Sequence, residues 1–324
     1  MLHAAFALML ALSPLPQDPP VVADDPVFQV EEIIVEGRRL DEAATLFVRE
    51  VSAPVDGRGA ARWEEGVCVG AANFSPEVGQ YLVDRVSDLA RELGLRGHEP
   101  PCEPSILIIG AADAAAMADE MVEMRPRLFI VGGAGMDQGR GALNEFRTGE
   151  RPVRWWHVSL PLDADTGDVG VRLPGAAGAT VNLVDGSVMD YAPIISRTTA
   201  SRLREDLRDV LKRSVVIVDV DLTGEVSLAQ LADYVAMVTL AQVDPEADTH
   251  RFESILNLFE NPELAQGLSA WDLAYLRGLY AVQPGHVGRA AQSDALSEAI
   301  LRAYRDGAAP DEEEAPPVED PGRP

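Results

Sequence analysis

Apolar residues along this chain follow distinct rhythms, and each rhythm predicts a different element. Between Ser75 and Gly94, Val78, Leu82, Val86, Leu89 and Leu93 recur three or four apart, which predicts an amphipathic helix. Ser75 suits its N-cap, Pro76 the first helical position and Gly94 the stop. Val67-Cys68-Val69 before it reads as a short strand. The unbroken run Ile106-Leu107-Ile108-Ile109 behind it reads as a buried parallel strand, so the stretch predicts a βαβ unit. Val215 to Val220 is a second unbroken strand. It leads into Ser227 to Val243, a helix apolar on nearly every face and therefore expected in the core. Imperfect alternation over Val153 to Leu160 predicts a strand that turns at Asp165-Thr166-Gly167 and returns through Val169 to Leu173. Further helices are expected over Leu40 to Val51, Ala111 to Met124, Gly141 to Phe146, Ser201 to Lys212, Ser269 to Tyr280 and Ala290 to Arg305. Phe28 to Val35 predicts a strand ended by Gly37. The fold class that follows is α/β (α+β), with helices flanking a sheet around a buried central helix, 227–243.

The two ends carry a different pattern. Ala4 to Leu12 is an apolar run too short to anchor in a bilayer but suited to a signal-peptide core, and Val21-Val22-Ala23 offers small residues for cleavage. The expected organisation is therefore a signal peptide at 1–23 and an N-terminal linker with a short strand and helix at 24–61. The main domain follows at 62–281, then a C-terminal helix at 282–306 and a disordered Pro- and Glu-rich tail at 307–324. On this reading the protein is exported, periplasmic or secreted, and its mature chain has no integral membrane segment. Cys68 and Cys102 are the only cysteines, and in an exported chain two cysteines read as one disulfide. The net charge of -26 excludes nucleic acid as a partner, because phosphate binding needs clustered cations. Lys212 is the only lysine; arginine carries the remaining basic charge.

Three stretches offer residue types that do chemistry. Asp219-Val220-Asp221-Leu222-Thr223-Gly224 follows a buried strand and resembles the first motif of haloacid-dehalogenase-type phosphatases. That resemblance implies Asp219 as nucleophile and Asp221 as general acid, but no lysine follows Lys212 and the strand comes late in the chain. A carboxylate-dependent hydrolase is the alternative reading. Asp163-Ala164-Asp165-Thr166-Gly167-Asp168 alternates carboxylates around a glycine like a calcium loop, yet lacks the later Glu. It reads as a hairpin turn, with calcium the only cofactor in view. Gly132 to Gly139 lacks GxGxxG spacing and reads as a turn. His98, His157, His250 and His286 are isolated from one another, and no GxSxG elbow is present.

The C-terminal half adds a resemblance. Leu231-Ala232-Asp233-Tyr234-Val235-Ala236-Met237 is followed by Ser254-Ile255-Leu256-Asn257, then by Leu268-Ser269-Ala270-Trp271-Asp272-Leu273 with Leu279-Tyr280 beyond. This order resembles zincin-type metalloproteases, metzincins especially. In those a buried helix carries HExxHxxGxxH, a Ser-Ile-Met turn lies under the metal, and a Leu-Thr-x-x-Asp helix follows. The resemblance spans 62–281 and implies a mixed twisted sheet whose cleft-edge strand is Trp155 to Leu160. It also places Asp233 and Met237 at the two histidine positions, Tyr234 at the glutamate, Val243 at the third ligand and Leu256 at the turn methionine. Zinc needs two His four apart on one helix face and a Glu to deprotonate the bound water, and this set supplies neither. The resemblance thus implies a pseudo-enzyme with no catalytic residues, binding a protein or peptide partner. Its cleft would lie between Trp155, Trp156 and His157 on one side and the core helix on the other, with Tyr234 exposed. The chain is also similar to an uncharacterised family of bacterial exported proteins sharing RPVRWWHVSLP, QLADYVAMV and LNLF.

Overall fold

The computed structural model describes residues 30–54, 59–99, 101–129, 138–163, 167, 181–182, 188–189, 207–282 and 289–308. Its elements, in chain order, begin with helix α1 (Val30–Val51), strand β1 (Val69–Ala72), α2 (Pro76–Glu92), β2 (Ile106–Ala111) and α3 (Ala114–Met124). Then come α4 (Pro126–Phe129), α5 (Gly139–Thr148), β3 (Val153–Asp163) and the two-residue strands β4 (Val181–Asn182) and β5 (Val188–Met189). Strand β6 (Leu207–Asp219), α6 (Leu228–Leu240), a 3-10 turn at Ile255–Asn257, α7 (Ala270–Ala281) and α8 (Arg289–Ala308) complete them.

The fold is mixed α/β, built on a four-stranded sheet in the order β1-β2-β6-β3. β1, β2 and β6 run parallel, and β3 lies antiparallel to β6 at the edge. The predicted βαβ unit is present as β1-α2-β2. Ser75 accepts from the Val78 N–H, Pro76 opens α2, and Gly94 takes φ +82° just past its end. A left-handed φ is open to glycine at little cost, which is why the helix stops there. The Cys68–Cys102 disulfide ties together the chain entering β1 and the chain entering β2, with its Cα atoms 6.2 Å apart.

Alternation along the strands splits the core in two. Val153 and Trp155 of β3 and Val216 and Val218 of β6 face α2, α6 and α7, whereas Trp156, Val158, Val215 and Ile217 face the helices between β2 and β3. Every α6 residue from Gln230 to Leu240 except Asp233 is buried, as the uniform hydrophobicity of that helix predicts. Each such Leu, Val or Met contributes about 1.5–3 kcal/mol by leaving water.

Three expectations need correction. Val30 to Val35 is helical rather than a strand: Val30, Ile33 and Ile34 already follow helical spacing, and α1 runs unbroken to Val51. The expected helix Leu40 to Val51 is present as the last turns of α1, and it belongs to the core of the main domain rather than to a segment before residue 62. Ala44, Phe47, Val48 and Val51 are buried, and Phe47 packs its ring against Phe252 and Trp271 at 4.9 and 5.6 Å. The described part of the expected helix Ser201 to Lys212 is strand, because its ladder with β3 from Leu207 to Leu211 overrides local propensity. The described partner of β3 is β6; the expected return strand Val169 to Leu173, the signal peptide and the residues beyond Ala308 lie outside the described residues. Among the described residues no helix is long and apolar enough to cross a membrane.

Candidate functional site

Helix α6 is fixed at its N-terminus by a reciprocal cap. Ser227 Oγ accepts from the Gln230 N–H at 3.2 Å, and Gln230 Oε1 accepts from the Ser227 N–H at 3.0 Å. The Gln230 amide then donates to the carbonyls of Pro262 and Ala265 at 2.7 and 2.9 Å, which ties the 260–268 loop to the first turn. At its other end Trp63 Nε1 donates to the Thr239 carbonyl and the Tyr280 hydroxyl to the Leu240 carbonyl, so side chains satisfy the last carbonyls of the helix.

Within that frame the four positions that the zincin resemblance singled out are all used internally. Asp233 accepts from Arg85 Nε of α2 and from the Leu268 N–H at 3.0 Å. The fit is close: a Cβ added at Gly267 would stand 2.8 Å from Asp233 Oδ2. Met237 is fully buried. Val243 is buried as well; it bridges Ser52, and its carbonyl accepts from Trp155 Nε1 at 3.0 Å. Tyr234 is the correction at this site. Expected exposed in a cleft, it is buried between Trp155 and Phe259, with ring centroids 6.1 and 5.0 Å away. Burial raises its hydroxyl pKa far above the ordinary tyrosine value, so it stays neutral.

The expected cleft residues are likewise buried and do not share one face. Trp155 faces α6, while Trp156 points to the other side and donates to the Phe129 carbonyl at 2.9 Å. His157 stands opposite Ser214 of β6 in the ladder, and both side chains are buried. Ser214 Oγ has no hydrogen-bond partner in the protein, and the His157 ring nitrogens have none beyond a weak approach to the Val238 main chain. Burial lowers the His157 pKa to about 4, against a lesser opposing pull from the Val238 main chain. Aromatic side chains thus fill the space the cleft would take.

Two scaffold motifs that sequence suggested separately prove to be one network. Asp272 caps α7 by accepting from the Ser269 N–H at 2.9 Å, and it reaches the 3-10 turn through Ser254 Oγ at 2.6 Å and the Ile255 N–H at 2.8 Å. Burial pushes its carboxyl pKa up, against the hydrogen bonds from Ser254, Ile255 and Ser269. Leu256 sits in that turn, held by Ser254 Oγ.

The remaining candidates are placed apart from this network. Asp219 ends β6, and its two oxygens accept from the N–H groups of Ala114 and Asp221 at 3.0 and 3.2 Å. Asp221 is exposed. Lys212 lies seven residues back along the strand, about 23 Å at strand rise, and pairs with Glu65. Asp163 closes β3 and Gly167 takes φ +78° four residues on, its N–H donating to the Asp163 carbonyl; Asp165 and Asp168 lie outside the described residues. Among the described residues no three His, Cys, Asp or Glu side chains are grouped to hold a metal ion. Sequence reasoning missed Arg85 and Gln230, whose partners are distant in the chain; Asp233, an acid on an otherwise apolar helix, was the one local signal that a cation had to stand opposite. Comparison with protein-family models, curated proteins and solved structures finds no match to this chain.

Proposed function

We propose that this protein is an exported, non-catalytic relative of the zincin fold that binds a protein or peptide partner. The observation that carries the reading is Asp233: the side chain standing where a zinc ligand would be is already spent on Arg85 and on the Leu268 amide. Support also comes from the antiparallel edge strand β3, the buried helix α6 and the 3-10 turn anchored by Asp272, which follow the order the resemblance implies. The disulfide fits an oxidising compartment. The carboxylate-hydrolase reading lacks its cation: Asp219 accepts from the Ala114 and Asp221 amides, and Lys212, seven residues back along the strand, pairs with Glu65. The test is incubation of the full chain with a mixed peptide library, with and without added zinc, followed by mass spectrometry. Retention of a peptide subset without cleavage is expected. Zinc-dependent cleavage that disappears in an Asp233→Ala variant would overturn the reading.

A further inference from the structure

The βα turns of β1, β2 and β6 all open at the carboxyl edge of the sheet, and α2 and α6 therefore start side by side there. Four of the large apolar side chains that stay in water are carried on segments joined to the first turns of α6. Val220 is 46% and Leu222 52% exposed in the turn between β6 and α6, and the Val220 N–H is bonded to the Ala111 carbonyl at the end of β2. Leu264 is 83% exposed at the tip of the loop that Gln230 holds on both sides. Tyr81, 43% exposed, lies one turn before Arg85 on α2, the residue paired with Asp233 in the second turn of α6. Apolar side chains clustered in water on a capped, hydrogen-bonded frame mark an interaction surface more than scattered ones do.

Among the described residues the exposed charge on the segments around them is mostly acidic. On the segments that build this end, 73–85, 111–116, 219–229 and 260–268, the exposed acids are Glu77, Asp84, Asp113, Asp221, Glu225, Glu260 and Glu263. Arg85, the only basic residue on those segments, is held by Asp233; at the start of β3, which meets this edge through Pro152, Arg151 pairs with Glu145 and Arg154 is buried on the Phe146 and Gly149 carbonyls. We infer that this rim is the partner-binding surface and that it takes a basic amphipathic segment of a protein, whose apolar side chains cover Leu222 and Leu264 while its Lys or Arg residues meet the ring of carboxylates. Complementary charge of this kind speeds encounter and rejects acidic partners, and the apolar centre supplies the affinity.

This surface rests on the partner-binding reading and refines where and what it binds. The test uses the full chain and a labelled helical peptide of leucine and lysine, with a second peptide carrying glutamate in place of lysine. A Leu222→Ser/Leu264→Ser variant keeps every charge and changes only exposed positions, where substitutions shift stability little. Expected are saturable binding of the lysine peptide, none of the glutamate peptide, and at least about tenfold weaker binding by the variant, which corresponds to about 1.4 kcal/mol. Equal binding by the variant, or no binding of the lysine peptide, overturns the assignment. Zinc-dependent cleavage by a chain whose peptide binding still depends on Leu222 and Leu264 would defeat the non-catalytic reading alone. A chain without such cleavage that is insensitive to the variant would defeat this surface alone.

Discussion

His157 offers a quantitative check on the packing of β3 against α6. Its imidazole is buried with no hydrogen-bond partner beyond a weak approach to the Val238 main chain, and burial lowers its pKa to about 4, against 6.5 for an exposed histidine. The folded pKa lies below the unfolded one, so as pH falls the unfolded chain takes up the proton first. Stability is therefore intact above pH 6.5 and is lost as pH falls from there towards 4. The gap corresponds to about 3 kcal/mol in full and about 2 kcal/mol by pH 5. A His157→Leu variant removes the titrating group and nothing charged, so the carboxylates common to both chains cancel in the comparison. Urea unfolding of both proteins at pH 7.5 and pH 5 measures the difference. The intact chain should lose about 2 kcal/mol more than the variant over that interval. At pH 7.5 the variant should be as stable or more stable, because an unpaired buried polar group costs about 1–3 kcal/mol. Equal losses in the two proteins would refute the burial of an uncharged ring at this position.

Three further outcomes follow from the anchors of α6 and α7. Asp233→Ala should destabilise by about 1–3 kcal/mol in thermal unfolding, and Arg85→Ala by less, because the aspartate also holds the Leu268 amide and the pair is partly exposed. Asp272→Ala should cost about 3–5 kcal/mol, since it strips the buried turn and the α7 cap of their shared acceptor; a change under about 1 kcal/mol would contradict the network. Replacing both Cys68 and Cys102 by serine should lower stability by about 3–4 kcal/mol for a closure of 34 residues, read from denaturant midpoints in the absence of reductant.

What could be read from the chain alone divides along a physical line. Elements whose apolar residues repeat locally, such as α2 with Ser75, Pro76 and Gly94, were legible because period and caps sit within twenty residues. The β1-α2-β2 unit followed from the same local logic, and the disulfide from there being two cysteines in a chain read as exported. Leu207 to Leu211 was misread because strand and helix compete there on local spacing, and the deciding force is the ladder with β3, some fifty residues away. The start of α1 failed for a related reason: a cluster of Val and Ile favours a strand unless its spacing is weighed against the length of the helix that follows. At the site, the identities of Asp233, Tyr234, Met237 and Val243 were plain, but their partners were not. Nothing near Asp233 in sequence points to Arg85, and nothing near Tyr234 shows that Trp155 and Phe259 close over it. Ser254 and Asp272 each appeared in their motifs, while the bond between them is a product of tertiary packing. Arginine usage has its explanation here too. Half-buried Arg62 reaches the carbonyls of Leu279, Tyr280 and Val282, and buried Arg154 those of Phe146 and Gly149, so each guanidinium closes the end of a helix in a way a lysine ammonium would not.

The central claim is that position 233 serves the fold and not a metal. Elemental analysis tests it most directly: the purified chain is incubated with excess zinc, freed of unbound metal and measured beside an Asp233→Ala variant. Zinc well below one equivalent in both proteins, with lower stability in the variant, is the predicted result. One zinc per chain, lost on substitution of Asp233, would contradict it.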